Sequence, residues 1–307
     1  MGGKIILAGG SGFIGTFLSR RFKEEGYEVI VLTRGPEKRT ETATYLHWDG
    51  KTVGGWAREI EGAELVINLA GKSVDCRYNE KNKKAILDSR VDATLVLGNA
   101  ILQAKNPPPL WINSSTATIY RHAEDRAMDE ATGEIGSGFS VNVATAWEKA
   151  FFDSQTSKTR KMALRTAIVL GNEGGVLVPF KNLVRFGLGG IQGTGRQMFS
   201  WVHQEDLFQI IRFIQKGNID GVINVSSPNP LPNWEIMKAF RRVLGMPFGL
   251  PAPTFLLVLG AWLIQTETEL LLKSRWVIPG RLLKVGYKFK YPAFSEALAN
   301  LINKGQS

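Results

Sequence analysis

Cysteine is almost missing from this chain: Cys76 is the one thiol in 307 residues. A single thiol cannot close an intrachain disulfide, so the core must hold the fold, and a reducing cytoplasm is the expected setting. Histidine is scarce too. His47, His122 and His203 stand far apart, with no metal-ligand spacing around them. Long apolar runs are absent. The longest, Phe255 to Ile264, falls well short of the roughly 20 residues that span a bilayer. No membrane span is expected, and this run reads as a buried or interfacial helix. The apolar stretch Ile5–Ala8 is too short, and too soon followed by glycine, for a secretory signal.

Acidic residues are in the minority. Against 28 Asp and Glu stand 38 Lys and Arg, a formal charge of +10. Lys81, Lys83 and Lys84 form one basic cluster; Lys158, Arg160 and Lys161 form another. No nucleic-acid motif accompanies them, so no nucleic-acid partner is expected. A solvated surface is the default, and an anionic small-molecule substrate comes next. With 44% hydrophobic residues, the chain can bury the core of one large α/β domain with a smaller lobe.

The most informative stretch is Gly9 to Gly15, directly after the apolar run Lys4–Ala8. It reads as a strand, a tight glycine turn and a helix opening at Phe13. Glycine has no Cβ to block a phosphate, and a helix N-terminus offers free N–H groups and a positive dipole end. The spacing is G-x-x-G-x-x-G rather than the more familiar G-x-G-x-x-G. Phe13, Ile14, Phe17, Leu18 and Phe22 follow at helical spacing. The second apolar run, Glu28–Thr33, ends at Arg34 with Lys38 and Arg39 close behind. A site for NAD usually has an acidic residue there, accepting from the ribose 2′-hydroxyl. An arginine fork suits the extra 2′-phosphate, so NADP (NADPH) is expected, with Arg34 its main phosphate partner.

Strands are expected near 4–8, 28–33, 44–47, 64–69, 109–115 and 162–169, and helices near 13–25, 80–105 and 138–157. This alternation implies a Rossmann-type, doubly wound parallel sheet. After residue 170 the pattern loosens, with a strand near 221–226 and helices near 232–244 and 293–304. The expected organisation is an NADP-binding domain over 1–170, its sheet completed by segments near 198–226. A smaller, mostly helical substrate-binding lobe and C-terminal extension then occupy 171–307, over the carboxyl ends of the strands.

The glycine motif, Asn68–Gly71, Ser114–Ser115, Arg165–Gly171 and Trp201–Leu207 together resemble the extended short-chain dehydrogenase/reductases. More narrowly, the chain is similar to an atypical, SulA-type branch of the NAD(P)-dependent epimerase/dehydratase-like family. The matching features are the Arg77–Tyr78 pair, Ile86–Val91, Gly189–Trp201, Val277–Leu282 and Gly286–Phe289. The resemblance runs from Lys4 to about Leu301. It implies that Gly9, Ser11, Gly12, Phe13, Ile14 and Gly15 cradle the pyrophosphate and that Arg34 meets the 2′-phosphate. It places Trp48 and Asp49 beside the adenine. It assigns Leu69, Ala70 and Gly71 to the ribose or nicotinamide side through backbone groups, and puts Ser114 and Ser115 near the nicotinamide. A homodimer is common in the superfamily, but no patch here compels one.

The catalytic pattern departs from the superfamily's Tyr-x-x-x-Lys, in which tyrosine is acid or base and lysine lowers its pKa. On the helix near 138–157 the two positions are Ala144 and Glu148, or, shifted by one, Thr145 and Lys149. Neither register supplies a tyrosine. Tyr120 is the nearest replacement: it either reaches the nicotinamide, with Ser115 or Thr116 assisting, or packs as an ordinary aromatic. Glu148 is either a carboxylate base or a hydrogen-bond partner of the ribose. Many sugar-nucleotide epimerases carry an arginine where this chain has Phe199, so a diphosphate clamp is not called for. Trp201 and His203 are expected to border the pocket, with His203 ordering the turn and Asp206 capping the next helix. The expected function is an NADP-dependent oxidoreductase or epimerase-like enzyme on a small carbonyl or hydroxyl substrate. The alternative is a non-catalytic NADP-binding regulator.

Overall fold

The computed structural model describes residues 2–255, 257 and 272–304. The apolar run Phe255 to Ile264, read above as a helix, lies almost entirely outside the described residues. The first strands are β1 (Lys4–Ala8), β2 (Glu28–Thr33), β3 (Lys38–Arg39) and β4 (Thr44–His47). β5 (Ala63–Asn68), β6 (Leu110–Thr116), β7 (Arg160–Thr166) and β12 (Gly221–Val225) complete the large sheet. Its order is β12-β7-β6-β5-β1-β2-β4-β3, and every pairing except β3 with β4 is parallel. The chain runs outward from β1 to β2, then returns to add β5 on the other side. The gap between the carboxyl ends of β1 and β5 is therefore the switch point, where ligands bind in such sheets.

Both faces of the sheet are covered, which explains the near-continuous apolar strands. On one face α1 (Phe13–Glu24) buries Phe17, Leu18 and Phe22. Beside it α5 (Gln204–Lys216) buries Phe208, Ile211 and Ile214. On the other face α2 (Glu80–Gln103) brings Val96, Leu97 and Ile101 onto the sheet, and α3 (Phe139–Asp153) brings Phe151.

A second layer begins where β7 ends. β8 (Ile168–Gly171) leaves the large sheet and pairs with β9 (Gly174–Gly175) and β11 (Trp201–His203). So of the segments expected to complete the large sheet, 221–225 does so, and 201–203 builds a small sheet of its own. β10 (Met198–Phe199) pairs with β13 (Leu231–Pro232). The helices α4 (Leu177–Arg185), α6 (Asn233–Val243) and α8 (Phe294–Lys304) share a core with Trp201, Phe180, Phe240 and Phe294. A short α7 (Gly280–Lys284) lies against β12. Among the described residues no helix is long and apolar enough to cross a membrane.

One expectation is corrected here. Asp206 does not cap α5. The cap is His203, whose Nδ1 accepts from the Glu205 N–H at 3.1 Å. Asp206 lies inside the first turn and is buried. Its carboxylate accepts the N–H groups of Lys290 and Tyr291 at 2.6 and 2.9 Å, fastening the C-terminal region to the core. His203 and Trp201 are likewise buried, the former against the Tyr291 ring and the latter against Phe294.

Candidate functional site: the notch at the switch point

The three motif glycines meet different surroundings, and the difference locates the notch. Gly9 has φ +70°, and a Cβ there would lie 2.6 Å from Ala70 Cα. It permits the turn and lets β1 and β5 close up at their ends. Gly15 is buried, and a Cβ on it would lie 2.2 Å from the Gly10 carbonyl oxygen. It is required for α1 to pack against the turn. Gly12 is exposed, its backbone is extended, and a Cβ would meet nothing within 4 Å. The space above Gly12 is therefore open to an incoming group.

That space faces the start of α1. Gly12 is the N-cap and offers no side chain to the helix, and no acidic residue stands in the first turn. The dipole end is left positive and its first N–H groups are available to an anion. Ser11 borders the opening, its Oγ within 3.2 Å of Thr33 Oγ1. Phe13 turns its ring away, against Gly171 and Gly174 of the small sheet, so only its backbone faces the notch. Ile14 packs into the core beneath. Arg34, just past β2, is exposed and makes no polar contact among the described residues.

The remaining positions flank this opening. Leu69 donates its N–H to Ala8, and Ala70 donates to the Asn68 side chain, at 2.8 and 3.1 Å. Gly71 is exposed beyond them. Trp48 donates its backbone N–H to Thr33, but its ring is buried against Trp56. Asp49 is exposed. Its carboxylate accepts first from the Thr52 backbone, then from the Lys51 backbone and the Thr52 hydroxyl, which lowers its pKa to about 2. This stabilising effect is present above the ordinary value of 3.8 and is lost as pH falls toward 2. A midpoint for Asp49 near 3.8 in an NMR titration would mean that the turn is not formed; about 2 is expected.

The expected catalytic residues come together, but in a closed network. Glu148 and Arg165 form a two-point ion pair, Nε to Oε1 at 2.9 Å and Nη2 to Oε2 at 2.8 Å. Ser115 donates to the same carboxylate at 2.6 Å. Arg165 Nη1 donates to the Tyr120 hydroxyl at 3.0 Å, and that hydroxyl donates to Asn224 at 2.9 Å. Burial opposes the Arg165 charge, but Glu148 more than offsets it and holds the guanidinium above its ordinary range. Burial also pushes the Tyr120 phenol up, with Arg165 opposing. Tyr120 is 1% exposed. Of the two helix registers, Ala144 and Glu148 face inward. Thr145 and Lys149 face solvent, where Lys149 pairs with Asp153. Ser114 is half-buried, and its carbonyl accepts from Asn113 at 2.8 Å.

The NAD dependent epimerase/dehydratase family model matches residues 5–226, and a domain of unknown function, DUF1731, matches residues 252–301. The chain belongs to the NAD dependent epimerase/dehydratase family. It is 32% identical to epimerase family protein YfhF of Bacillus subtilis over 303 residues, covering 97% of each chain. It is 31% identical to the human epimerase family protein SDR39U1 over 307 residues, covering 97% of this chain and 99% of that one. A crystal structure of human SDR39U1 isoform 2 with NADPH superposes with a TM-score of 0.86 at 29% identity, covering 98% and 99%. The family's Rossmann-type, nicotinamide-dinucleotide-binding fold is thus present here with a helical C-terminal region.

Several residues of this family member had no role in the sequence reading. Asn68 donates to Thr94 and to Asn113 at 3.0 and 2.7 Å, and Trp147 Nε1 donates to Thr94 at 3.0 Å. These buried groups tie the ends of β5 and β6 to α2 and α3. Asn113 in an apolar strand, and Arg165 at the end of another, were the visible signals: neither residue is buried without a partner. Phe199 lines a small cavity with Phe180, Gln192, Gln197, Asn233 and Arg275.

Proposed function

We propose that the chain binds NADPH at the switch point and acts as an oxidoreductase or epimerase-like enzyme on a small carbonyl or hydroxyl compound. The observation that carries this reading is the open space over Gly12, facing a helix start with no side-chain cap. When bound, the coenzyme supplies a hydride. The residues from Gly9 to Gly15 hold its pyrophosphate through backbone N–H groups. Arg34 holds the 2′-phosphate, because it is exposed at the end of β2 and has no carboxylate among the described residues to occupy it. Leu69 to Gly71 and Ser114 border the ribose and nicotinamide. Trp48 serves as a packed floor under the adenine side, and Asp49 shapes the turn beside it. NADPH bound to human SDR39U1 supports the same choice of coenzyme.

For the chemistry, Ser115, Tyr120 and Glu148 act as one unit with Arg165. Ser115 on β6 stands opposite Arg165 on β7, and Glu148 with Arg165 fixes its hydroxyl. Tyr120, just past β6, accepts from Arg165 and positions it. One observation favours a second reading, a coenzyme-binding regulator: the Glu148 carboxylate is already neutralised by Arg165. Oxidation of NADPH in the presence of small carbonyl compounds separates the two.

Arg34→Gln tests the coenzyme assignment. It is expected to weaken NADPH binding by about tenfold to a hundredfold, the worth of a charge-assisted contact, with NADH changed less than about threefold. Equal losses for both coenzymes would detach Arg34 from the 2′-phosphate.

A further inference from the structure

A second cation borders the notch, and the pyrophosphate cradle does not use it. Arg90 stands on α2, facing the loop that leaves β5. Its Nη1 donates to the carbonyls of Lys72 and Ile86 at 3.1 and 2.9 Å. Its guanidinium lies 5.2 Å from the centre of the Trp147 ring. The preceding residue, Ser89, accepts the Lys72 N–H at 2.8 Å. These contacts fix the plane of the guanidinium and the position of the loop together.

The other edge of the guanidinium is free. Among the described residues, Nε and Nη2 have no acceptor and no carboxylate pairs with Arg90. Gly71 lies over the face of the guanidinium and leaves that edge uncovered. A Cβ on Gly71 would fall 2.9 Å from Cζ, 3.1 Å from Nη2 and 3.2 Å from Nε. Burial pushes the Arg90 pKa down to about 10, opposed by Tyr78, so the group remains charged at neutral pH. Drawing a cation out of water without an anion is unfavourable. Among the described residues, Arg165 and Arg212 are two arginines buried to a similar degree, and each is paired, with Glu148 and Glu25. Arg90 is held just as firmly and lacks the partner.

We infer that Arg90 is the anion receptor of the substrate site, its Nε–Nη2 edge taking a carboxylate of the substrate beside Gly71. The inference rests on the coenzyme reading, in which Gly71 borders the nicotinamide. Two parallel N–H donors on one planar edge match the two oxygens of a planar carboxylate. The substrate class is then a small oxo- or hydroxy-carboxylate, with its reacting carbon toward the coenzyme. Gly71 is glycine because a side chain would strike the face of the guanidinium and displace it.

The test uses the full chain loaded with NADPH and titrated with malonate, pyruvate and inorganic phosphate. Both carboxylates are expected to bind the loaded wild type and to shift the Arg90 Nε–H resonance in a nitrogen-labelled sample. Arg90→Gln should weaken carboxylate binding about tenfold or more while NADPH affinity stays within about threefold. Arg90→Lys should fall between, because it keeps the charge and loses the fork. An unmoved Arg90 resonance at saturating malonate and pyruvate would overturn the inference, and this reading needs no variant to fold. So would unchanged carboxylate binding by Arg90→Gln, or binding of phosphate alone. If NADPH itself fails to bind the wild type, the coenzyme reading falls, and this one with it.

Discussion

The same methyl group, added at two glycines three residues apart, is expected to do opposite things. Gly15→Ala should destabilise the fold by roughly 3 kcal/mol, because the new Cβ would lie 2.2 Å from the Gly10 carbonyl and neither backbone segment can yield freely. Gly12→Ala should leave stability within about 1 kcal/mol of wild type: its backbone suits any residue, and only the N-cap preference changes. Yet Gly12→Ala should weaken NADPH binding by about tenfold or more, since the methyl enters the space reserved for the phosphates. Thermal unfolding and coenzyme titration of both variants measure the two effects separately. A Gly12→Ala protein that binds NADPH as tightly as wild type would show that the open space is not the pyrophosphate seat.

Glu148→Leu should cost about 3–5 kcal/mol, since it strands Arg165 as a buried charge beside Tyr120. For a chain of this length, that lowers the melting temperature by roughly 5–8 °C. Adding Arg165→Met should restore much of the loss, because an apolar pair of similar volume removes the stranded charge. The double variant keeps the fold and removes the group that fixes the Ser115 hydroxyl, so coenzyme binding should survive where turnover does not. If the single variant melts like wild type, the pair is not a buried unit.

The sheet was legible because its signals are local. Lys4–Ala8, Glu28–Thr33 and Thr44–His47 appear where their apolar runs predicted them. The glycine turn and the basic end of β2 were likewise readable, since each follows a strand in sequence. What the sequence hid depends on contacts between distant segments. Arg165 and Glu148 are 17 residues apart and meet only because α3 crosses back over β6 and β7. Arg90 reads as one basic residue on a charged helix until Gly71 and Trp147 are set around it. Asp206 stands in a stretch that looks like a helix start, and a cap is the natural reading. Only the return of residues 290 and 291 reveals what its carboxylate holds. The break between β7 and β8 was hidden for a similar reason. One run, Met162 to Gly171 with only Arg165 and Thr166 breaking its apolar character, serves two sheets, with the partners of the second contributed 30 residues later by β11.

The central claim is that the turn after β1 seats a nicotinamide dinucleotide carrying a 2′-phosphate. Titrating the wild-type chain with NADPH and with NADH, side by side, tests it most directly. Saturable binding of NADPH, at least about tenfold tighter than NADH, is the predicted result. No saturable binding of either, or equal binding of both, would contradict it.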